Sequence, residues 1–240
     1  MPADTTSDSP SPGIVGSLVA DPKHGVLPVL LLLLTVVTGV VDAVSLLTLG
    51  HVFVANMTGN IVFISFALVG TPGFSLAASL SALAGFLIGA IAGGRFVRHS
   101  RLDRLRLVRD SVLVEIVLVA ISLVISIVLG PQLTDGPAAV IAGVLAVALG
   151  VRNAVVRKVA VPDLTTTVLT MTLTGLGADH DVSSTVWVKR ILAVVGMGCG
   201  AAAGALIVRH GHAWAGLTLA LVLLVITEAV AISAARRLQP

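Results

Sequence analysis

The stretch FVANMTGN, residues 53–60, places two asparagines and a threonine inside the most apolar region of the chain. Residues 26–94 carry one formally charged side chain, that of Asp42. A Thr-Gly-Asn run favours the interruption of a helix, because glycine tolerates unusual dihedral angles and asparagine competes for backbone hydrogen bonds. In lipid, a broken helix survives only where protein or a watery cavity covers it. The stretch therefore predicts a membrane-embedded segment that is broken or re-entrant.

The composition assigns the chain to a broad class of protein. Of its 240 residues, 56% are hydrophobic and 11% are charged, and the mean hydropathy is +1.06, whereas soluble domains carry about 25% charged residues. The apolar runs are continuous, which favours helices over a closed barrel, and lipid admits only these two structures. The basic residues lie at the ends of apolar runs with few aromatic neighbours, so they indicate topology and not nucleic-acid binding. We expect an all-α integral membrane protein.

Six long apolar segments have the length of membrane spans. They lie at about 26–49, 75–94, 111–130, 137–151, 187–208 and 213–235. Two further segments, 52–70 and 164–177, are ambiguous because polar residues interrupt them. We therefore expect six to eight transmembrane helices in one domain at 26–235. A disordered tail at 1–25, rich in Ser, Pro and Asp, precedes that domain, and a short cytoplasmic tail at 236–240 follows it.

An internal repeat relates the two halves of this domain. GVVDAV at residues 39–44 is echoed by GVRNAV at 150–155, an offset of 111. Thr58 matches Thr170 at an offset of 112, so FVANMTGN has a threonine-rich counterpart. The offset of 111 also relates two glycine rows, which are Gly85, Gly89 and Gly93 in the first half and Gly196, Gly200 and Gly204 in the second. The pattern predicts one repeat at about 26–130 and another at about 137–235.

The distribution of lysine and arginine discriminates between topologies. The loop RFVRHSRLDRLRLVRD, residues 95–110, holds six arginines and is expected in the cytoplasm. Eight spans would leave 5 of the 15 Lys and Arg residues outside, seven would leave 2, and six would leave 1. Six or seven spans therefore fit better than eight. Six spans make inverted repeats of three, with both ambiguous segments broken or re-entrant and both termini in the cytoplasm.

The most specific motif is the Gly-x-x-Asp-Ala stretch followed about ten residues later by VFVANMTGN. Together with GVRNAVVRKVAVPDLTTTVLTMTLT at residues 150–174, it resembles the YoaK family of bacterial multi-pass membrane proteins, a domain of unknown function (DUF1275). The resemblance covers about residues 28–233 and implies a protein of the bacterial inner membrane without an established substrate or reaction. The second motif departs from the family pattern T-T-x-x-T-G-T, because Met171 stands where that glycine would be.

The polar residues of the two ambiguous segments form a candidate site for a solute or ion. Inverted-repeat transporters place broken helices at the repeat interface, where half-helix ends and freed carbonyls bind ligands. A carboxylate inside an apolar span is a functional candidate, so Asp42 is expected to carry a proton or cation, with Asn153 as its uncharged partner in the second repeat. The candidate residues are Asp42, Asn56, Thr58, Asn60, Asn153, Thr167, Thr170 and Glu228.

A structural interpretation of the same residues stays open. Asn and Thr in membrane helices also hold neighbouring helices together, at about 0.6–2 kcal/mol per hydrogen bond. Asp42 could pair with Arg152 across the repeats as a structural ion pair. Glu115 stands near the start of its expected span and could reach the membrane interface.

Two classes of function fit these observations. The first is a secondary transporter or channel for a small solute, coupled to protons through Asp42. The second is a non-transporting protein that packs helices within a complex, or an intramembrane enzyme for which Ser45 near Asp42 is a weak indication. We expect no enzyme activity, no cofactor and no metal site, because the chain has neither metal-ligand spacing nor a phosphate-binding glycine loop.

The partners that the sequence predicts are the lipid bilayer and a small solute. Each glycine row repeats at i, i+4 and i+8, a spacing that lets two helices approach closely. We expect the two rows to meet at the axis that relates the repeats. A homodimer through Gly85, Gly89 and Gly93 or through Gly196, Gly200 and Gly204 would use the same chemistry.

The topology can be tested with single cysteines in a Cys199→Ser background. The cytoplasmic Arg-rich loop should protect Arg104→Cys from an impermeant thiol reagent added to intact cells, whereas Asp135→Cys on the other side should react. Labelling is read by gel shift, with permeabilised cells as the control for reactivity. Labelling of Arg104→Cys in intact cells would contradict the topology.

Overall fold

The computed structural model describes residues 24–130, 133–161, 164, 166–167, 169–179, 184–209 and 212–237. Within these ranges the chain forms eight α-helices. They are α1 (Leu27–Thr48), α2 (Met57–Leu68), α3 (Leu76–His99), α4 (Arg104–Leu129), α5 (Asp135–Val159), α6 (Thr170–Ala178), α7 (Ser184–Val208) and α8 (Ala213–Arg237). Most of the expected tail at 1–25 and the last residues of the expected tail at 236–240 lie outside the described ranges.

Six of the described helices are long and apolar enough to cross a membrane. These are α1, α3, α4, α5, α7 and α8, with 22 to 26 residues each. At a rise of about 1.5 Å per residue they extend about 33–39 Å, against a hydrocarbon thickness of about 30 Å. The chain is a multi-pass membrane protein with six candidate spans, at the lower limit of the expected six to eight.

The two ambiguous segments contain short helices. The 12 residues of α2 and the 9 residues of α6 extend about 18 Å and 14 Å, which is too short to cross the hydrocarbon layer. An irregular segment precedes each of them, so both regions are broken. The break lies earlier than expected, because Thr58, Gly59 and Asn60 form the first turn of α2 while FVAN is irregular. Gly59 lies close to the ring of Phe53, which would have to shift to admit a Cβ at this position.

Helices α4 and α5 extend furthest beyond their expected apolar segments. Helix α4 begins at Arg104, where the side chain of Asp103 accepts a hydrogen bond of 2.8 Å from the peptide N–H of Arg106 and caps the helix. Helix α5 continues to Val159 and ends where Ala160 adopts a left-handed conformation. The extended parts of α4 and α5 both carry arginine. The long side chain of arginine can reach polar surroundings or a buried partner. The polar residues Arg152 and Asn153 therefore lie on a helix and not in a loop.

The first glycine row brings α3 against α5. A Cβ on Gly85 or Gly89 would overlap the carbonyl oxygen of Gly143 or Val147, respectively, and one on Gly93 would lie 2.8 Å from that of Val151. Gly150 makes the reciprocal contact with the main chain of α3 at Phe86. The two helix backbones therefore touch without intervening side chains.

The second glycine row brings α7 against α1 in the same way. Gly200 contacts the carbonyl of Val36, and Gly39 contacts that of Met197. The expectation that the two rows meet each other is wrong, because each row is covered by a different helix. A homodimer through these rows has no support in the structure, since α5 and α1 already occupy the faces that a second chain would need.

The two helix contacts correspond residue by residue. Adding 111 to Gly89 gives Gly200, and subtracting 111 from Val147 gives Val36. The pairs formed by Gly150 and by Gly39 are related by the same offset. The internal repeat stays a prediction, and this regularity of the contacts supports it.

Alanine substitutions test the glycine contacts, because they should lower stability at the packed glycines and should not lower it at the open ones. Gly89→Ala and Gly200→Ala should each destabilise the protein by about 1–3 kcal/mol, because the new methyl group meets backbone that cannot move aside. Gly94→Ala and Gly198→Ala are matched controls on the same two helices, since a Cβ there meets nothing within 4 Å. They should be neutral or stabilising by up to about 1 kcal/mol through helix propensity. Thermal unfolding in detergent measures all four, and equal midpoints would contradict the packing.

Candidate functional site

A buried ion pair joins α5 to α4. One terminal nitrogen of Arg152 donates to both carboxylate oxygens of Glu115, at 2.8 and 3.1 Å, and both side chains are fully buried. Each charge would be very costly alone in a low-dielectric interior, so the two depend on each other. The second terminal nitrogen of Arg152 donates to the hydroxyl of Thr38 on α1. Arg152 thus ties three membrane helices together.

The hydroxyl of Thr38 extends this network to the second broken segment. It lies 2.8 Å from the carbonyl oxygen of Thr166 and 2.9 Å from that of Leu34, and its single hydrogen is shared between them. Thr166 adopts φ +63°, a left-handed conformation that is rare for threonine. The irregular chain before α6 is therefore fixed to the middle of α1.

Asp42 lies one turn after Thr38 on α1 and is 5% exposed. Neither of its carboxylate oxygens has a hydrogen-bond partner of good geometry among the described residues. The peptide N–H groups of Val54 and Ala55, in the first broken segment, face the carboxylate, and the charge of Arg152 acts on it from a longer distance. The direct ion pair of Asp42 with Arg152, which the sequence left open, is not formed, and Arg152 pairs with Glu115 instead. We call Thr38, Asp42, Glu115, Arg152 and Thr166 the central polar cluster.

Asn153 contacts the second broken segment. The hydroxyl of Thr167 donates to its side-chain oxygen at 3.0 Å, and Thr167 is 3% exposed. Asn153 corresponds to Asp42 at the offset of 111, and Thr167 corresponds to Ala55 at 112. Asp42 therefore faces the segment before α2 in the first half, and Asn153 faces the segment before α6 in the second half.

Asn60 forms hydrogen bonds with the main chain of the first broken segment. Its side-chain oxygen accepts from the peptide N–H of Phe53 at 2.9 Å, and its amide nitrogen donates to the carbonyl of Phe53 at 2.6 Å. The side chain is fully buried, so it satisfies a peptide group that the break leaves without a helical partner. This geometry assigns Asn60 a structural contact. Its role toward a solute stays a prediction.

The remaining candidate residues lie apart from the central polar cluster. Asn56 is half-buried and caps α2 without a side-chain bond, whereas Thr58 and Thr170 are exposed. Glu228 on α8 accepts from Nε of Arg109 at 3.1 Å. Arg109 precedes Glu115 by six residues, which is about 9 Å along α4. Of the candidate residues that the sequence predicted, Asp42 therefore belongs to the central polar cluster, and Glu228 forms a separate ion pair with Arg109.

The sequence did not identify Glu115 as a site residue. It was expected near the interface because the apolar run begins at residue 111, but α4 begins at Arg104 and buries Glu115 three turns inside. The charges of Asp42, Glu115 and Arg152 occur in three different apolar spans. Isolated charges of opposite sign in separate spans are a signal for mutual pairing, because each is costly alone.

The hydroxyl of Ser45 bears on the possibility of an intramembrane enzyme. It donates to the main-chain carbonyl of Asp42 at 3.1 Å. A serine nucleophile needs its hydroxyl hydrogen on a neighbouring base. In this structure that hydrogen is engaged by the backbone and not by the carboxylate.

Replacement of Arg152 tests the ion pair. Arg152→Met should cost about 3–5 kcal/mol of stability, because Glu115 becomes a buried charge without a partner, whereas Arg152→Met with Glu115→Leu should recover most of that loss. Arg157→Met, which removes an exposed arginine from the same helix, is the control. Unfolding in mixed micelles titrated with sodium dodecyl sulfate gives the free energies. A single variant as stable as the parent would show that the pair does not form.

Comparison with known proteins assigns the chain to a family. Residues 30–229 match the family described as "Protein of unknown function (DUF1275)". The chain is also similar to the UPF0700 transmembrane protein YoaK of Bacillus subtilis (strain 168), with 31% identity over 161 residues that cover 67% of this chain and 69% of that relative. No solved structure matches it. The family match spans all five residues of the central polar cluster, and the chain belongs to the DUF1275 family.

Proposed function

We propose that this protein is a secondary transporter or channel for a small polar solute and that Asp42 couples it to protons. The observation that carries the proposal is the Asp42 carboxylate, which is buried within a membrane span without a side-chain partner among the described residues. Glu115, by contrast, is held by Arg152. A carboxylate that no side chain occupies can bind a proton or a solute and release it again, and ionisable groups inside spans mark such pathways.

Unpaired polar atoms around Thr38 support a ligand site. Among the described residues, the carboxylate oxygens of Asp42, the Nε of Arg152 and the hydroxyl of Thr166 have no hydrogen-bond partner of good geometry. Arg152 and the Thr166 carbonyl both bond to Thr38, and Asp42 lies one turn away on the same helix. Buried polar atoms need partners. Two carboxylate acceptors, an N–H donor and a hydroxyl have the chemistry to bind water or a small solute that both donates and accepts hydrogen bonds.

The broken segments supply the second support. The segment before α2 presents the peptide groups of Val54 and Ala55 to Asp42, and the segment before α6 presents the carbonyl of Thr166 to Thr38. Both breaks therefore converge on α1. In transporters with inverted repeats, discontinuous helices provide peptide groups to substrate and coupling ions in this way.

This geometry provides a coupling mechanism. In this proposal the ionised Asp42 attracts the peptide N–H groups of Val54 and Ala55, which face its carboxylate, and this attraction favours the position of the segment before α2 against α1. A proton on Asp42 removes the negative charge and weakens that attraction. The segment can then move while the Arg152–Glu115 pair keeps α4 and α5 fixed. A solute that bonds to Asp42 would compete for the same carboxylate, which links its binding to the proton.

The membrane and its orientation belong to the same proposal. The family resemblance implies the cytoplasmic membrane of a bacterium. The six arginines of residues 95–110 favour a cytoplasmic location for that loop. With six spans, both termini then lie in the cytoplasm.

A non-transporting role is the second candidate, and one observation favours it. Both polar atoms of the Asn60 side chain are bonded to Phe53, and Arg152 is paired with Glu115, so much of the buried polarity already holds the chain together. A helix-packing protein would use Asp42 in the same manner. Replacement of Asp42 would then reduce the stability of the protein without an effect on transport.

Asp42→Asn separates the two functions in proteoliposomes that contain a pH-sensitive dye. A panel of small polar metabolites and ions is applied as gradients, and acidification or alkalinisation of the lumen reports proton coupling. Asp42→Asn, which imitates Asn153, should keep the thermal midpoint within a few degrees, since amide and carboxyl have the same shape, and should abolish proton movement.

Glu228→Gln is the matched control, because it removes a buried acid that pairs with Arg109 outside the cluster. It should retain proton movement. The proposal that Asp42 couples transport to protons fails if Asp42→Asn unfolds the protein or if this variant moves protons as the parent does.

A further inference from the structure

A lateral groove opens between α3, α4 and α5 near the Arg-rich loop. Its volume is about 400 Å³, within the range of small-molecule sites, which is about 300–1,000 Å³. Its lining is almost entirely apolar and comes from Ala92, Gly93 and Phe96 on α3, from Asp110, Ser111 and Val114 on α4, and from two valines of α5. The absence of a side chain at Gly93 lets α3 approach α5 on one side of the groove.

The groove opens toward lipid. Gly93 and Ser111 are buried at its floor, whereas Phe96 and Val114, at its edges, are 40% and 41% exposed. The neighbouring helix faces carry large exposed apolar side chains, which are Ile88 and Ile91 on α3 and Leu113 and Val117 on α4. A hydrocarbon chain can therefore enter from the side without crossing a polar surface.

Two exposed arginines stand close in sequence to the lining residues that are nearest to the loop. Arg95 directly precedes Phe96 on α3, and Arg106 precedes Asp110 by four positions, about one turn, on α4. Arg106 has only a loose contact of 3.6 Å with the exposed Asp103. Each of the two helices therefore carries an accessible positive charge near the loop end of the apolar groove.

We propose that this groove binds one acyl chain of an anionic phospholipid and that Arg95 and Arg106 hold its phosphate. The apolar walls match the chain, and the two guanidinium groups match a phosphate, which they can bind with parallel hydrogen bonds. Basic pockets between membrane helices recognise anionic head groups in this manner. Asp110 lies one turn deeper than the arginines, beside the chain and away from the phosphate. The proposal does not depend on transport through the central polar cluster.

A tryptophan in the groove reports the lipid. Phe96→Trp in a Trp187→Phe, Trp214→Phe background is reconstituted with brominated phosphatidylglycerol or brominated phosphatidylcholine, which quench nearby tryptophan. Quenching of the Phe96→Trp variant should show a preference of about tenfold for the anionic lipid over phosphatidylcholine. Adding Arg95→Gln and Arg106→Gln should reduce the preference to less than about twofold. A tryptophan at Ile127, which is 57% exposed on the opposite end of α4, should show no preference.

Native mass spectrometry of the unsubstituted chain provides a second measurement that needs no tryptophan variant. After detergent exchange the parent should retain one phosphatidylglycerol, and Arg95→Gln with Arg106→Gln should lose it. Arg98→Gln with Arg101→Gln removes the same charge from the loop outside the groove and should keep it. Equal quenching by both lipids at position 96, an equal preference at position 127, or lipid loss in the Arg98, Arg101 control would overturn the proposal.

Discussion

The guanidinium of Arg152 is the group on which the interior of this protein depends. A positive charge inside a membrane span is tolerated only with a partner, and Arg152 has two, Glu115 on α4 and Thr38 on α1. Thr38 in turn holds the carbonyl of Thr166, so the irregular chain before α6 is fixed by the same network. Arg152 pairs with Glu115, and Asp42 has no side-chain partner among the described residues. Two buried carboxylates of the same cluster therefore differ in their environment.

Close helix contacts make this arrangement possible. Gly89 and Gly200 let α3 and α7 touch the backbones of α5 and α1, and the two contacts are related by the same offset as the sequence motifs. Such contacts replace the hydrophobic effect, which gives no driving force between helices in lipid. The long spans are held together by these contacts, and the short helices α2 and α6 each follow an irregular segment of the chain. The peptide groups that face Asp42 belong to the irregular segment between two of these spans, α1 and α3.

The sequence predicted the fold better than the site. Continuous apolar runs and the positive-inside rule led to six or seven spans, and the polar residues of FVANMTGN indicated a broken segment that the structure contains. The exact pairing could not be predicted, because the position of Glu115 within α4 depends on a helix start at Arg104, outside the apolar run. Likewise, the repeat predicted close contacts at the glycine rows, but it could not show that each row packs on the first helix of the other half. Pairing between distant spans is a tertiary property, and a single sequence contains no record of it.

We propose that Asp42 exchanges a proton while the Arg152–Glu115 pair stays fixed. The proton on Asp42 can be observed by infrared difference spectroscopy of the protein in lipid, recorded between an alkaline buffer and a buffer so mildly acidic that exposed carboxyl groups stay ionised. The account predicts a carboxylic-acid carbonyl band that appears in acid, is absent from Asp42→Asn and persists in Glu228→Gln. A band that remains in Asp42→Asn would contradict it, because another carboxyl would then carry the proton.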